Sequence, residues 1–357
     1  MTNYLLAGGG TAGHVNPLLA LADEIKKRSA SNMVYALGTI EGLEARLVPQ
    51  RGYELITVPR LPMPRKLNGY LFKFPSLFIK SVKQVEEYIA KYKIDVVVGF
   101  GGYASAPAYR AAKKMGIPYV IHEANALPGY ANRVGARNAA AVAVSFQSTK
   151  LPKATYLGMP IRQEIAGLDR AKNRATAAKF FNLDPTKTTL LVTGGSLGAR
   201  RINQTIELSR PMLASAGIQV LHIVGDRAGL EALSEGTYHR ITYCDRMDLA
   251  LAAVDFAVAR SGAATVSEFA AVGLPAVFVP YPVGNGEQRF NATDLVDTGA
   301  ALLVEDSNFD QSYVEEILIP LVLDSARVKQ MSSRAYELGI RDGAARLLDL
   351  VNGVLKV

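Results

Sequence analysis

The sequence predicts an α/β protein with two doubly wound parallel sheets. Short apolar runs alternate with longer helical patterns from end to end, which is typical of parallel strands buried on both faces. The alternation forms two series, and each opens with a strand, a glycine-rich turn and a helix, LLAGGGTAGHVNP at 5–17 and LLVTGGSLGARRIN at 190–203. With 357 residues, 49% of them hydrophobic, the chain is long enough for two domains with cores of their own.

The apolar runs set the order of the predicted strands. The first series comprises Tyr4–Ala7, Met33–Leu37, Val96–Val98, Tyr119–Ile121 and Ala141–Val144. The second comprises Thr189–Val192, Val220–Val224, Phe256–Ala259, Ala276–Val279 and Ala301–Val304. Ligands of open α/β sheets bind beyond the carboxyl ends of the strands, so we expect the active site in a cleft between the two domains.

A glycine and a proline in LGMPIR, Leu157–Arg162, interrupt the pattern and mark the domain junction. We therefore predict domains at 1–160 and 161–330, followed by a helical segment at 331–357. That last segment, rich in Ala, Leu and Arg, could cap its own domain or cross back to the first.

Composition limits the classes of partner and site. Forty basic residues against thirty-two acidic ones give a net charge of +8, which favours an anionic partner: nucleic acid, a nucleotide, a phospholipid headgroup or an acidic substrate. A single cysteine, Cys244, excludes an internal disulfide framework and a clustered-cysteine zinc site. The N-terminus lacks the basic region of a signal peptide, and no window approaches the ~20 apolar residues of a membrane span. Any membrane contact should be peripheral.

The first glycine loop, Gly8–Gly13, formally matches the dinucleotide-binding pattern G-x-G-x-x-G. A dehydrogenase also needs an acidic residue at the end of the second strand to hold a ribose, and the nearest candidate there is Glu41, several residues further on. NAD binding is therefore disfavoured, while a tight turn without a ligand stays open. His14 lies at the mouth of the loop, where an imidazole could accept a proton from a hydroxyl, although a lone histidine in a turn is more often structural.

The second series carries the most specific stretch, ARSGAATVSEFAAVGLPAVFVPYPVGNGEQRFN at 259–291. A strand ends at Arg260, and the following helix begins with amides that are free for a diphosphate. Thr265 and Glu268 lie one turn apart on that helix, where Glu268 could accept hydrogen bonds from a ribose diol. The alternative for Glu268 is a solvated glutamate on an amphipathic helix. The loop Gly194–Ala199 offers further amides and a hydroxyl at a helix start, which suits phosphate oxygens, although turn formation alone explains it almost as well.

A basic and aromatic segment, Arg60–Lys93, carries eight basic residues against two acidic ones. This mixture is expected of an interfacial patch on anionic lipid. A core helix with a solvated basic face is equally compatible, and a single-stranded nucleic acid is a further alternative. The patch residues that we predict are Leu71, Phe72, Lys73, Phe74, Phe78 and Lys80.

The ordered set of motifs GGGTAGHVNP, GGYASAP, HEANALPG, GMPIR, GGSLGA and the block at 260–291 resembles the MurG family over nearly the whole chain. That resemblance implies the GT-B fold and an inverting transfer of N-acetylglucosamine from UDP-N-acetylglucosamine to undecaprenyl-pyrophosphoryl-N-acetylmuramoyl pentapeptide, which converts lipid I to lipid II. It implies no cofactor, since the UDP sugar is a substrate, and no metal. It also implies a peripheral protein at the cytoplasmic face of the plasma membrane, with cell-wall and division proteins as partners and no nucleic acid.

The resemblance also assigns roles to individual residues. His14 would be the general base, and the acceptor side would comprise Thr11, His14, Tyr103 and Asn125. Glu268 would hold the ribose, the backbone near Cys244 would contact uracil, and Gln288 and Asn291 the donor sugar. The full donor set is Thr11, Ala12, Gly13, Asn125, Arg162, Ser196, Cys244, Arg260, Ser261, Thr265, Glu268, Gln288 and Asn291.

The sequence departs from the family pattern at five positions. Ala12 replaces a glycine, Met159 an asparagine, and Ala124, Leu197 and Glu287 each replace a glutamine. Other functions stay open: a UDP-sugar epimerase or hydrolase, a catalytically idle binding protein of the cell-wall machinery, and a transferase acting on diacylglycerol or a natural product. Transfer that depends on the acceptor separates the transferases from the first two.

Overall fold

The computed structural model describes residues 1–64, 69–195, 198–283 and 286–355. The chain divides into two compact units, Met1–Arg162 together with Asp342–Val357, and Gln163–Arg341. Each unit contains a seven-stranded sheet, and the predicted α/β class with two doubly wound sheets is confirmed. In the described ranges, no helix is both long enough and apolar enough to cross a membrane.

The first unit alternates strands and helices along the chain. Its elements are β1 (Asn3–Ala7), α1 (Ala12–Arg28), β2 (Met33–Gly38), α2 (Glu44–Gln50), β3 (Glu54–Thr57), α3 (Gly69–Lys91), β4 (Val96–Gly99), α4 (Ser105–Lys114), β5 (Tyr119–Glu123), α5 (Tyr130–Gly135), β6 (Ala141–Val144) and β7 (Ala154–Tyr156). The strand order is β3-β2-β1-β4-β5-β6-β7, and every neighbouring pair is parallel.

Each face of this first sheet has its own apolar core, as the continuous apolar runs require. Successive side chains of a strand point to opposite faces. Leu5 and Ala7 therefore pack with residues of α3 and α4, whereas Tyr4 and Leu6 pack with residues of α1 on the other face.

The second unit repeats the plan with more small elements. It contains α6 (Gln163–Ala166), α7 (Arg170–Phe180), β8 (Thr189–Thr193), α8 (Arg200–Leu208), α9 (Arg210–Ser215), β9 (Gln219–Ile223), β10 (Leu233–Glu235), β11 (Tyr238–Ile241), α10 (Met247–Ala253), β12 (Phe256–Ala259), α11 (Ala263–Val272), β13 (Ala276–Phe278), α12 (Glu287–Asn291), α13 (Thr293–Asp297), β14 (Ala301–Leu303), α14 (Gln311–Tyr313), α15 (Ile319–Leu323) and α16 (Ser325–Leu338). The strand order is β10-β11-β9-β8-β12-β13-β14.

Four strands were not predicted from the sequence: β3, β7, β10 and β11. Three of them lie at sheet edges and span only three or four residues, which is too short for a recognisable periodic signal. The strand β10 also pairs antiparallel with β11, so the second sheet has one antiparallel edge, which is common in doubly wound folds.

The C-terminal segment is two helices rather than the single one expected from residue 331. The first, α16, belongs to the second unit, and the second, α17 (Gly343–Leu355), belongs to the first unit. Leu347, Leu348 and Val351 of α17 are buried in the core on the α1 side of the first sheet. The Tyr4 hydroxyl donates a hydrogen bond to Asn352 Oδ1 at 2.9 Å, so α17 completes the fold of the first unit.

Candidate functional site

Strand order reverses once in each sheet, and the predicted motifs lie at these points. In the first unit the reversal falls between β1 and β4, and in the second between β8 and β12. The loops that follow such strand pairs diverge to opposite faces and leave a crevice at the carboxyl edge. The glycine loop after β1 and the Gly101–Gly102 turn after β4 therefore meet at one edge of the first sheet.

These two glycine turns pack backbone against backbone. Gly102 has a φ of +80°, and a Cβ at this position would lie 2.5 Å from the carbonyl oxygen of Gly9. Ser105 fixes the second turn, because its hydroxyl accepts a hydrogen bond from Gly101 N at 3.0 Å and lies 2.8 Å from the carbonyl oxygen of Ala7. Any side chain at residue 102 would force the turns apart.

His14 occupies the first turn of α1, and the loop backbone orients its ring. Its Nδ1 lies 3.2 Å from the carbonyl oxygen of Gly9 and 3.2 Å from Thr11 Oγ1. Since a carbonyl only accepts, the contact with Gly9 places the proton on Nδ1 and leaves the lone pair on Nε2. A Cβ at Gly101 would lie 3.2 Å from that Nε2, so the glycine keeps the basic nitrogen uncovered.

The surroundings of His14 keep its ring neutral. Burial is the largest influence and lowers the pKa of His14, while the negative charges of Glu123 and Glu44 and the hydrogen bond to Gly9 raise it without cancelling the effect of burial. A neutral imidazole with a free Nε2 at pH 7 is the form that a general base requires.

Glu44 is a site residue that the sequence did not reveal. Its carboxylate is fully buried and accepts hydrogen bonds from Gly10 N at 2.8 Å, Thr39 N at 2.8 Å and Thr39 Oγ1 at 2.9 Å. A Cβ at Gly9 would lie 2.2 Å from Glu44 Oε1. The Glu44 carboxylate thus occupies the space beneath the glycine loop and already binds the Gly10 amide. This is further evidence against dinucleotide binding at the loop.

Glu123, at the end of β5, organises the HEANALPG segment. Its buried carboxylate accepts hydrogen bonds from Asn125 N at 2.9 Å, Gly129 N at 3.0 Å and Asn132 Nδ2 at 2.9 Å. Tyr109 in turn donates to Asn132 Oδ1 at 2.7 Å. Glu123 lies within the HEANALPG motif, but its structural role depends on Asn132, which is nine residues further along the chain.

Three of the four predicted acceptor residues line one cavity. His14, Tyr103 and Asn125 all line a cavity of about 1030 Å³ in the first unit, and the Arg60 guanidinium lies 5.1 Å from the centre of the Tyr103 ring. Thr11, Ala12 and Gly13 surround the start of α1 beside His14. The structure therefore places the predicted acceptor residues at one edge of the first sheet.

In the second unit, Arg260 links the ends of β12 and β13. Its Nη1 donates to the carbonyl oxygens of Val279 at 3.0 Å and Pro280 at 2.9 Å, and pairs with Asp306 Oδ1 at 2.6 Å. The guanidinium also lies 5.6 Å from the centre of the Tyr281 ring. Arg260 is mainly an internal brace, and its contact with a diphosphate stays a prediction.

The neighbouring predicted residues join the same network. Asn291 is 1% exposed, and its Nδ2 donates to the carbonyl oxygen of Ser261 at 3.2 Å, so it positions the turn before α11. Gln288 Oε1 accepts a hydrogen bond from Tyr281 N at 3.0 Å, so the side-chain amide nitrogen of Gln288 points away from Tyr281 N. The hydroxyl of Ser261 is buried without a hydrogen-bond partner in the part of the chain described, as at sites that a ligand or water completes.

The helix α11 begins at this turn with an open N-terminus. Gly262 precedes it without a side-chain cap, so the first amides can bind an anion. Thr265 is half-buried and Glu268 is 8% exposed, three residues further along. Their roles toward a nucleotide, like those of Cys244 and Arg162, stay predictions. Ser196 and Leu197, and the Asn285 that precedes α12, lie outside the described residues.

The described part of the chain holds no group of three or more His, Cys, Asp or Glu side chains that could bind a metal ion. Cys244, which is partly exposed, has no such group around it in these residues.

Comparison with known proteins identifies the family. The model of the glycosyltransferase family 28 N-terminal domain matches residues 4–144, and that of the family 28 C-terminal domain matches residues 189–347. A UDP-N-acetylglucosamine–N-acetylmuramyl-(pentapeptide) pyrophosphoryl-undecaprenol N-acetylglucosamine transferase from Leifsonia xyli subsp. xyli is 56% identical over 98% of both chains. The transferase of the same name from Clavibacter michiganensis is 53% identical over 98% of this chain and 96% of its own.

The crystal structure of MurG from Acinetobacter baumannii covers 99% of this chain and 100% of its own, with a TM-score of 0.79 and 25% identity. The chain belongs to the MurG family of glycosyltransferases. Membership extends over both units, so the GT-B class of the fold and the classification as a glycosyltransferase are confirmed.

Two of the departures from the MurG pattern lie in the protein interior. Ala124 and Met159 are each 2% exposed, and Met159 Sδ lies 3.7 Å from the hydroxyl of Ser145. Substitutions there alter packing beneath the site rather than a surface that could contact a ligand. Glu287 is half-buried at the start of α12.

We predict that Glu44→Ala destabilises the first unit by about 3 kcal/mol, because it leaves buried donors of Gly10 and Thr39 without an acceptor. Glu41→Ala is the matched control, since Glu41 is exposed in the same loop, and should change stability by less than about 0.5 kcal/mol. Chemical denaturation measures the stability of both variants. Hydrogen exchange of the backbone amides at residues 8–14 measures the stability of the glycine loop. Equal stability of the two variants would contradict a structural role for the Glu44 carboxylate.

Proposed function

We propose that this protein transfers N-acetylglucosamine from UDP-N-acetylglucosamine to N-acetylmuramyl-(pentapeptide) pyrophosphoryl-undecaprenol. The observation that carries the proposal is the placement of His14, whose uncovered Nε2 lies at the carboxyl edge of the first sheet. Support also comes from the relative of this activity that is 56% identical over 98% of the chain.

The proposed chemistry is a single displacement. The acceptor hydroxyl oxygen attacks the anomeric carbon of the donor sugar, the bond from that carbon to the UDP oxygen breaks, and the electron pair leaves with UDP. Nε2 of His14 accepts the hydroxyl proton, and the resulting imidazolium is stabilised by the negative charges of Glu123 and Glu44. An α-linked donor then gives a β-linked product.

On the donor side, we propose that the amides at the start of α11 bind the diphosphate, with Arg260 beside it. Glu268 would hold the ribose hydroxyls, Gln288 the sugar, and the backbone near Cys244 the uracil. The buried Ser261 hydroxyl, which has no partner in the described ranges, supports a ligand at this turn. We propose that helix amides and arginines replace a divalent ion, and that no cofactor takes part.

The direct experiment measures transfer of radiolabelled N-acetylglucosamine to a lipid-linked acceptor analogue in EDTA, with UDP release followed in parallel without acceptor. We expect release that depends on the acceptor. Release without acceptor would indicate a hydrolase or epimerase, and tight UDP binding without turnover would indicate an idle binding protein. Transfer that needs an added divalent ion would contradict the metal-free mechanism.

We predict that His14→Ala lowers kcat by roughly a hundredfold or more, because the general base is lost, while UDP binding persists. Because the pKa of His14 is lowered, the wild-type rate should fall only as the pH drops through that lowered pKa and protonates Nε2. This acidic limb should vanish in the variant.

His14→Asn is the control for packing, since its Nδ2 amide can replace the Nδ1–H donor to Gly9 but supplies no basic nitrogen. Its kcat should fall as far as that of the alanine variant. Wild-type turnover in either variant would remove His14 from the proton transfer.

We further propose that α3 docks the protein on anionic lipid at the cytoplasmic face of the plasma membrane. The structure divides the six predicted patch residues. Phe72 is 82% exposed and Ile79, seven residues later, is 56% exposed; Lys73 and Lys80 are exposed with the same spacing. Because seven residues make nearly two helical turns, these four side chains share one outer face. Phe74 and Phe78 instead line the cavity that also contains His14, and Leu71 is half-buried.

We predict that Phe72→Ser with Ile79→Ser lowers binding to anionic vesicles, and that Lys73→Gln with Lys80→Gln weakens it at about 1 kcal/mol per lysine. Phe180→Ser is the matched control, because Phe180 is 57% exposed in the second unit. Vesicle sedimentation at two salt concentrations provides the measurement. Undiminished binding in both double variants would exclude this face of α3 as the docking face. Arg65 and Lys66, which belong to the same basic and aromatic segment, lie outside the described residues.

As part of this function, we propose roles in peptidoglycan synthesis, cell shape and cell division, with cell-wall and division proteins as partners. The family membership supports the first of these, because the name of the relative specifies the lipid-linked acceptor.

A further inference from the structure

The cavity of the first unit changes chemical character along its length. Its volume is about 1030 Å³, at the upper end of the ~300–1,000 Å³ typical of ligand pockets. At one end lie His14, Gly101, Glu123 and Asn125, which supply an imidazole, backbone groups and a carboxylate. This end suits a polar group that is rich in hydroxyls.

The other end is apolar. Tyr70, Phe74 and Phe78 line it from α3, with ring centres 6.0 Å apart for the first pair and 6.1 Å for the second. Tyr130 and Val134 of α5 line the same cavity and are 55% and 49% exposed. Such a wall offers a sugar few hydrogen bonds, but it can bury hydrocarbon.

Two basic residues lie along the same cavity. Arg110 and Lys113 of α4 line it and are exposed to solvent, and Lys113 Nζ donates to Asn138 Oδ1 at 2.8 Å. A ligand that matches the whole cavity has a polar head, an anionic group and an adjoining hydrocarbon chain.

We propose that the apolar end of this cavity binds the first isoprene units of the acceptor's polyprenyl chain, which therefore enter the protein instead of remaining in the bilayer. This inference rests on the proposed function, since a prenyl-linked acceptor is a ligand that contains all three parts. Phe74 and Phe78 contact the chain from α3, and Val134 contacts it from α5. These residues position the acceptor and take no part in proton transfer.

Whether the prenyl chain enters the cavity from a bilayer or from water determines which probes can detect the site. Lipid tails are as apolar as a leucine side chain, so a chain that moves from bilayer to cavity gains little from the hydrophobic effect. A short prenyl chain taken from water gains the full effect. Water-soluble, short-chain probes should therefore reveal the site, while membrane-bound acceptors should obscure it.

The binding test uses fluorescence. The chain contains no tryptophan, so F74W places one indole in the cavity wall, and F72W places one on the outer face of α3 as the matched control. The probe is a two-isoprene prenyl diphosphate without sugar or lipid. We expect a saturable blue shift for F74W, and no shift for F72W or with inorganic diphosphate.

Three results would overturn the proposal: no saturable shift in F74W, an equal shift in F72W, or the same shift with inorganic diphosphate. Anionic vesicles without acceptor should shift F72W and leave F74W unchanged. If vesicles shift both alike, the cavity belongs to the membrane-docking face and not to a tail site.

A kinetic test covers the case in which F74W itself blocks the cavity. With wild-type protein, an acceptor carrying a two-isoprene chain should have a KM at least roughly tenfold lower than one carrying a methyl group, since tenfold corresponds to burying only about two of its methylenes. Val134→Asn should raise the KM of the two-isoprene acceptor and so reduce this difference, whereas Phe72→Ser should preserve it. Equal KM values for both acceptors in the wild type would contradict tail binding.

The two proposals fail separately. If neither acceptor is glycosylated, the proposed transferase function fails, while the fluorescence test still reports on prenyl binding. If both acceptors are glycosylated with equal KM and the prenyl diphosphate does not bind to F74W, the function stands and the tail site does not exist.

Discussion

The close contact between the Gly9 and Gly102 backbones is the constraint on which the first site depends. Residue 102 needs both a φ of +80° and the absence of a Cβ, which would lie 2.5 Å from the Gly9 carbonyl oxygen. That same oxygen lies 3.2 Å from His14 Nδ1. The position of one backbone carbonyl therefore fixes the packing of the two turns and the tautomer of the histidine.

Buried carboxylates hold this arrangement from two sides. Glu44 fixes the first loop through the amide of Gly10, and Glu123 fixes the segment that carries Asn125. Both charges favour a protonated His14, yet burial has the larger effect on its pKa. The balance suits the proposed general base, which must be neutral before the reaction and cationic after it, because the same two carboxylates would stabilise the proton once it arrives.

The sequence predicted the fold well because central parallel strands must be apolar on both faces, and such runs are easy to recognise. It also placed His14 at a helix start after a glycine loop, which is a local feature, while the role of His14 as a base stays a prediction. It could not predict Glu44, because the link between Glu44 and Gly10 spans 34 residues and arises only when β1 and β2 pair. The roles of Asn291 and Arg260 as internal braces were hidden for the same reason: their partners are backbone carbonyls of distant segments.

The helix α3 shows why composition left its role undecided. Aromatic and basic residues follow one another along the chain, so the segment supported a core helix and a membrane face equally. Helical geometry separates them: Phe74 and Phe78, four apart, share the inner face, whereas Phe72 and Ile79, seven apart, share the outer face. The inner face therefore agrees with a helix packed on the protein, and the outer face is the one that we propose for the membrane. In the function and tail site proposed above, the acceptor's prenyl chain passes from the bilayer into the cavity, and a helix with apolar side chains on both of these faces would give it a short path.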